Sequence, residues 1–221
     1  MNLPDGLLGG TWTLLAWVLF VPLVHHALRR APWHVLGDSA RLNVWLGMIV
    51  VLILLWNLNA GVKPGLSLHL LGAMVFTLCF GWALAFVGLC VVLAGATLNG
   101  VAGWQAFALN ALLMGGVGVA ASHGIHRLVA RRLPAHFFVY IFANGFFGAA
   151  LSVFAVGAVS CLLFVLAGVY RAEYLTGEYL PYFMLLGFAE AWLSGMVTTL
   201  FVVYRPEWVS TFEDKQYLEK K

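Results

Sequence analysis

The sequence predicts an all-α membrane protein: a polytopic transmembrane bundle of about seven helices, N-terminus outside, C-terminus cytoplasmic. Three observations predict it. Only 10% of the 221 residues are charged, whereas a soluble domain carries roughly 25% to face water. Hydrophobic residues reach 62%, and the mean hydropathy is +0.93. The few charges also fall between apolar runs long enough to span a bilayer, which takes about 20 residues. A soluble enzyme, a nucleic-acid binder and a disordered chain are excluded by this composition. Residues 1–205 read as one bundle domain, opened by a distinct segment at 1–8, and residues 206–221 as a short cytoplasmic tail.

The charges punctuate the helices in order. Gly6 to Leu28 is uncharged and closed by Arg29 and Arg30, giving a first span that Pro22 should kink. Leu42 to Val62 gives a second, bounded by Arg41 and Lys63. Pro64 to His126 contains no Asp, Glu, Lys or Arg over 63 residues, room for three spans. Its candidate breaks are Gly81–Trp82 and the stretch from Leu98 to Gly103. Leu133 to Tyr170 is uncharged for 38 residues; as one helix it would measure about 57 Å, nearly twice the hydrocarbon thickness. Pro181 to Tyr204 holds a single charge, Glu190.

The positive-inside rule decides the ambiguous run. With one span there, seven in all and the N-terminus outside, ten of the twelve Lys and Arg residues fall on the inner side. Only Lys63 and Arg171 remain outside. Small-xxx-small pairs such as Gly116/Ala120, Gly118/Ser122, Gly145/Ala149 and Gly148/Ser152 predict close helix packing in lipid. No internal repeat supports an inverted-repeat transporter. The N-terminus lacks a basic region and is followed by a run of spanning length, so it does not read as a signal peptide. Asn2 is bulky enough to disfavour removal of Met1, and the mature chain is expected to begin there.

Few residues carry recognisable chemistry. Cys79, Cys90 and Cys161 lie in apolar stretches without metal-type spacing and read as small buried side chains. His25, His26, His34, His123, His126 and His136 cluster towards the inner side, where interfacial anchoring is their plainest role. His69 stands alone on the outer side, after the loop from Lys63 to Leu68. Glu190 is the only carboxylate deep inside a span, a functional candidate by default; its plainer reading is a hydrogen bond to a neighbouring helix through Asn110 or Asn144. No G-x-x-x-x-G-K-[ST] loop, H-E-x-x-H or G-x-S-x-G motif occurs, so the chain carries none of these ATPase or hydrolase signatures.

The opening Met-Asn-Leu-Pro-Asp-Gly-Leu-Leu is too apolar for a solvated tail and contains turn formers. Tucked into the outer mouth of a bundle, it would offer the α-amine of Met1 and the amide of Asn2. Both are nitrogen donors once deprotonated, and with the imidazole of His69 they suit a square-planar nickel or copper site.

These features resemble the CbiM/NikM family, the substrate-binding membrane components of energy-coupling-factor (ECF) ABC transporters for cobalt and nickel. The opening eight residues look like that family's Met-His-(hydrophobic)-x-(Asp/Glu)-Gly start. The run GLSLHLLG, Gly65 to Gly72, is similar to its loop ending in His-Leu-(Leu/Ile)-Gly. The Asn110 segment ALNALLMGGVGV and the Glu190 segment GFAEAWLSGMVTTLFVVYRPEWV resemble its later helices.

The resemblance implies a subunit that captures Co2+ or Ni2+ at its outer mouth. The ligands would be the Met1 amine, the amide and side chain of residue 2, and His69. It also implies a transmembrane coupling subunit and cytoplasmic ATPase subunits as partners, in a bacterial inner membrane. One position departs: where the family has His, this chain has Asn2, a poorer ligand for a borderline metal. That departure implies weaker binding and leaves open a paralogue with different selectivity or no transport role. A haem-bearing electron carrier, with His25 or His26 paired to His123 or His126, is the reading from another class.

Overall fold

The computed structural model describes residues 2–58, 60–61 and 63–217. Helix α1 (Gly10–Arg30) and helix α2 (Ser39–Asn57) are joined by a short helical turn at Trp33–Gly37. A two-stranded antiparallel ribbon follows, β1 (Ala60–Gly61) against β2 (Ser67–Leu68). Among the described residues, six helical stretches are long and apolar enough to cross a membrane. The third of them, Ala73–Leu98, is not a single rod.

Gly81 breaks that stretch with φ 75° and ψ 170°, a conformation glycine alone adopts readily. The chain reverses there. Leu52 packs on Gly72 while its neighbour Ile53 packs on Gly95, yet in a continuous helix those glycines would lie about 35 Å apart. The ring of Phe76 likewise lies on Gly88, roughly 18 Å away along an unbroken axis. So 73–80 is a half-length helix, α3, and 82–98 a returning helix, α4. The predicted break at Gly81–Trp82 is present, and with α3 counted as a half-length passage the described residues cross the bundle seven times, in line with the about seven helices expected. The third passage across the bundle is unusual: half loop (58–72) and half helix.

Helix α5 (Phe107–Arg132) and helix α6 (Phe137–Leu166) follow, each with a stretch of wider π-type turns, at Ala111–Val117 and Tyr140–Gly148. The 38-residue uncharged run therefore holds one spanning helix, as the charge argument required. The short helix α7 (Ala172–Glu178) precedes α8 (Leu180–Tyr204). Gly145 abuts Gly195 and Thr198, the close approach anticipated for small residues. Leu14, Val18, Leu54, Met184, Leu185 and Phe188 stay exposed, as lipid-facing positions should.

Contacts sort the connections onto two faces. On the first, Leu3 meets Asn110, Asp5 meets Ala106, and Tyr170 bonds the carbonyl of Pro64. On the second, His26 stacks on Trp82, and Ser210 bonds the carbonyl of Cys79. Residues 206–217 are docked there rather than freely solvated. Val209, Phe212 and Tyr217 are buried, and the Thr211 hydroxyl donates to the Leu78 carbonyl at 2.9 Å. Residues 218–221 lie outside the described residues.

Candidate metal site at the N-terminal face

The N-terminal segment enters the bundle because its side chains are apolar and its turn is built in. Leu3 and Leu8 are buried, and Gly6 turns the chain at φ 79°. Asp5 accepts the Ala106 N–H at 3.0 Å. Asn110, at the start of the π-type turns of α5, grips Leu3 twice: the Leu3 N–H donates to Oδ1 at 2.8 Å, and Nδ2 donates to the Leu3 carbonyl at 3.0 Å.

That grip fixes the neighbouring Asn2. Its backbone N–H donates to Ser67 Oγ at 3.0 Å, two residues before His69 on the same loop. The Asn2 side chain is 4% exposed, and neither Oδ1 nor Nδ2 has a hydrogen-bond partner. Met1 lies outside the described residues. Of the three expected ligands, Asn2 is thus bonded to the loop that carries His69.

His69 is held in one orientation. Its ring packs on Trp56, with centroids 4.7 Å apart, and is 2% exposed. Nδ1 lies 3.0 Å from the Leu70 carbonyl. A carbonyl only accepts, so Nδ1 carries the proton and Nε2 keeps its lone pair. Nε2 is buried with no partner in the protein. A cleft of about 610 Å³ between α2 and α8 has His69 in its wall, beside Leu68, Tyr182 and Ala189.

Glu190 is buried, as expected for an intramembrane carboxylate, but its partners are not Asn110 or Asn144. It accepts the Leu71 N–H on Oε2 and the Gly72 N–H on Oε1, both at 2.7 Å, with Ser194 Oγ at 3.2 Å. Asn144 instead bonds the Tyr140 carbonyl of its own helix. The carboxylate therefore holds the turn that leads into the half-helix α3. Sequence reasoning missed this role, together with Ser67 and Trp56. No periodic signal marks an interrupted helix, although Gly72 and Gly81 bracket the segment.

Among the described residues, no three His, Cys, Asp or Glu side chains cluster in a way that holds a metal. Any metal chemistry here must draw on backbone and amide donors beside His69. Of the other histidines, His26 stacks on Trp82, His126 packs edge-on against Tyr140 and His136 stacks on Phe138.

Comparison with known families gives a match over residues 2–208 to the family described as "Cobalt uptake substrate-specific transmembrane region". Comparison with curated proteins finds no match. Among solved structures, a crystal structure of a truncated transition metal transporter is similar at a TM-score of 0.75 and 19% identity. The match covers 92% of this chain and 99% of that one. A second, of a transition metal transporter, gives 0.74 and 18% identity, over 92% of this chain and 93% of that one. At such identity the likeness is one of fold.

Proposed function

The chain belongs to the cobalt-uptake substrate-specific transmembrane family, and we propose that it is the substrate-capture membrane subunit of an ECF-type importer. Its cargo is Co2+ or Ni2+. The metal is bound by the Met1 α-amine, the amide of Asn2 with its side chain, and Nε2 of His69. A transmembrane coupling subunit and cytoplasmic ATPase subunits supply the energy, because the chain has no phosphate-binding loop of its own. The resemblance of its motifs to bacterial importers makes it a multi-pass protein of the bacterial inner membrane.

The observation that carries this reading is the state of His69. A buried polar atom left without a partner costs about 1–3 kcal/mol, and such atoms call for an explanation. Metal-ligating histidines characteristically donate the other ring N–H to a carbonyl or carboxylate, as His69 does to Leu70. The unpartnered side-chain amide of Asn2 supports the same conclusion. Charge distribution supports the orientation: Arg29, Arg30, Arg41, Arg127, Arg131 and Arg132 border the face opposite the site, which the positive-inside rule assigns to the cytoplasm.

Equilibrium metal binding to purified protein tests the reading. Wild type should bind one Co2+ or Ni2+ per chain, and His69→Ala should lose that binding. Equal affinity in the two proteins would refute the site.

A further inference from the structure

The segment carrying His69 has no regular helix to hold it. Its described residues, 58, 60–61 and 63–72, enter the bundle as a ribbon and loop, and irregular backbone at that depth is tolerated only where its polar groups are satisfied by protein. Its inner end is satisfied by one side chain. Glu190, reaching across from α8, accepts the N–H groups of Leu71 and Gly72, and the Leu71 N–H belongs to the same peptide whose carbonyl orients the His69 ring. Gly72 itself is left-handed at φ 70° and Leu52 closes against it, so the turn has no room for a side chain at this position.

We propose that Glu190 is a positioning residue for metal capture: it never touches the metal, but by fixing Leu71 and Gly72 it aims His69 Nε2 into the site. The proposal rests on the metal-capture reading above. Two further features fit it. Glu190 is the only carboxylate among the buried described residues, and a divalent ion with one deprotonated amide brings a net positive charge that a nearby carboxylate offsets. The carboxylate also sits at the N-terminal end of α3, where the helix dipole favours negative charge. Because the anchor belongs to α8, a displacement of that helix would carry the His69 loop with it, giving the capture site a mechanical link to the rest of the bundle.

Glu190→Gln keeps the volume but turns an NH2 donor towards one of two N–H donors. Three readouts are needed: Co2+ affinity, hydrogen exchange at residues 70–73, and the melting temperature. Thr198→Ala, on the same helix but packed on Gly145, reports plain destabilisation. We expect Glu190→Gln to bind Co2+ at least tenfold more weakly and to exchange the Leu71 and Gly72 amides at least tenfold faster. Thr198→Ala should lower the melting temperature and change neither. Wild-type affinity and exchange in Glu190→Gln would overturn the proposal. If that variant does not fold, Ser194→Ala, which removes one bond to the carboxylate, should shift both readouts about threefold, and no shift would count against the proposal. A wild type that binds no Co2+ refutes the metal reading alone; the exchange measurement still decides whether Glu190 holds the loop.

Discussion

Asn110 holds Leu3 by both ends of its amide, donating to one backbone group and accepting from the other. A side chain that pairs with a backbone N–H and carbonyl of the same residue acts as a one-residue strand, and it leaves the preceding Asn2 no freedom to withdraw. Asn110→Leu keeps the shape and removes both bonds. At about 1 kcal/mol each, the loss should weaken Co2+ or Ni2+ binding roughly 30-fold, as measured by competition with a chelating dye.

Metal binding should release protons. Nε2 of His69 already carries its lone pair, because Nδ1 holds the ring proton against the Leu70 carbonyl. The α-amine, with an ordinary pKa near 8, and the Asn2 amide must both deprotonate. The apparent association constant should therefore rise about 100-fold per pH unit between pH 6 and 7.5. A slope of zero in a pH series of titrations would remove the amine and amide from the ligand set.

Position 2 is open to a gain of function. Asn2 is buried, its backbone N–H bonded to Ser67 and its side-chain amide unpartnered, and imidazole is the better donor for a borderline metal. Asn2→His should bind Ni2+ at least tenfold more tightly than wild type in parallel titrations.

Gly72→Ala should be among the most damaging single substitutions. The added methyl overlaps Leu52, and the left-handed backbone disfavours any Cβ. Strain of about 1–2 kcal/mol from the backbone plus about 1–3 from overpacking predicts a clear drop in melting temperature in detergent.

Much of this architecture was legible in the sequence, for a physical reason. Charges cannot lie in hydrocarbon, so Arg29, Arg41, Lys63, Arg132 and Arg171 marked the connections, and Gly81 marked the reversal within an uncharged run. His69 stood out because it was the lone histidine of its face. The half-helix was not legible, since hydropathy reads the same whether residues 58–80 cross as helix or as loop. Glu190 was visible as an anomaly, but its partners are backbone N–H groups, and backbone groups leave no mark in a sequence. Ser67 was hidden likewise, its bond to Asn2 spanning 65 residues.

The central claim is that the chain's own N-terminus is part of a metal site, and one comparison tests it most directly. Metal content and affinity should be measured for protein beginning at Met1 and for protein with a single alanine placed before it. The account predicts one Co2+ or Ni2+ per chain in the first and loss of binding in the second, because the added residue takes the amine away from His69. Equal stoichiometry and affinity in both would contradict it.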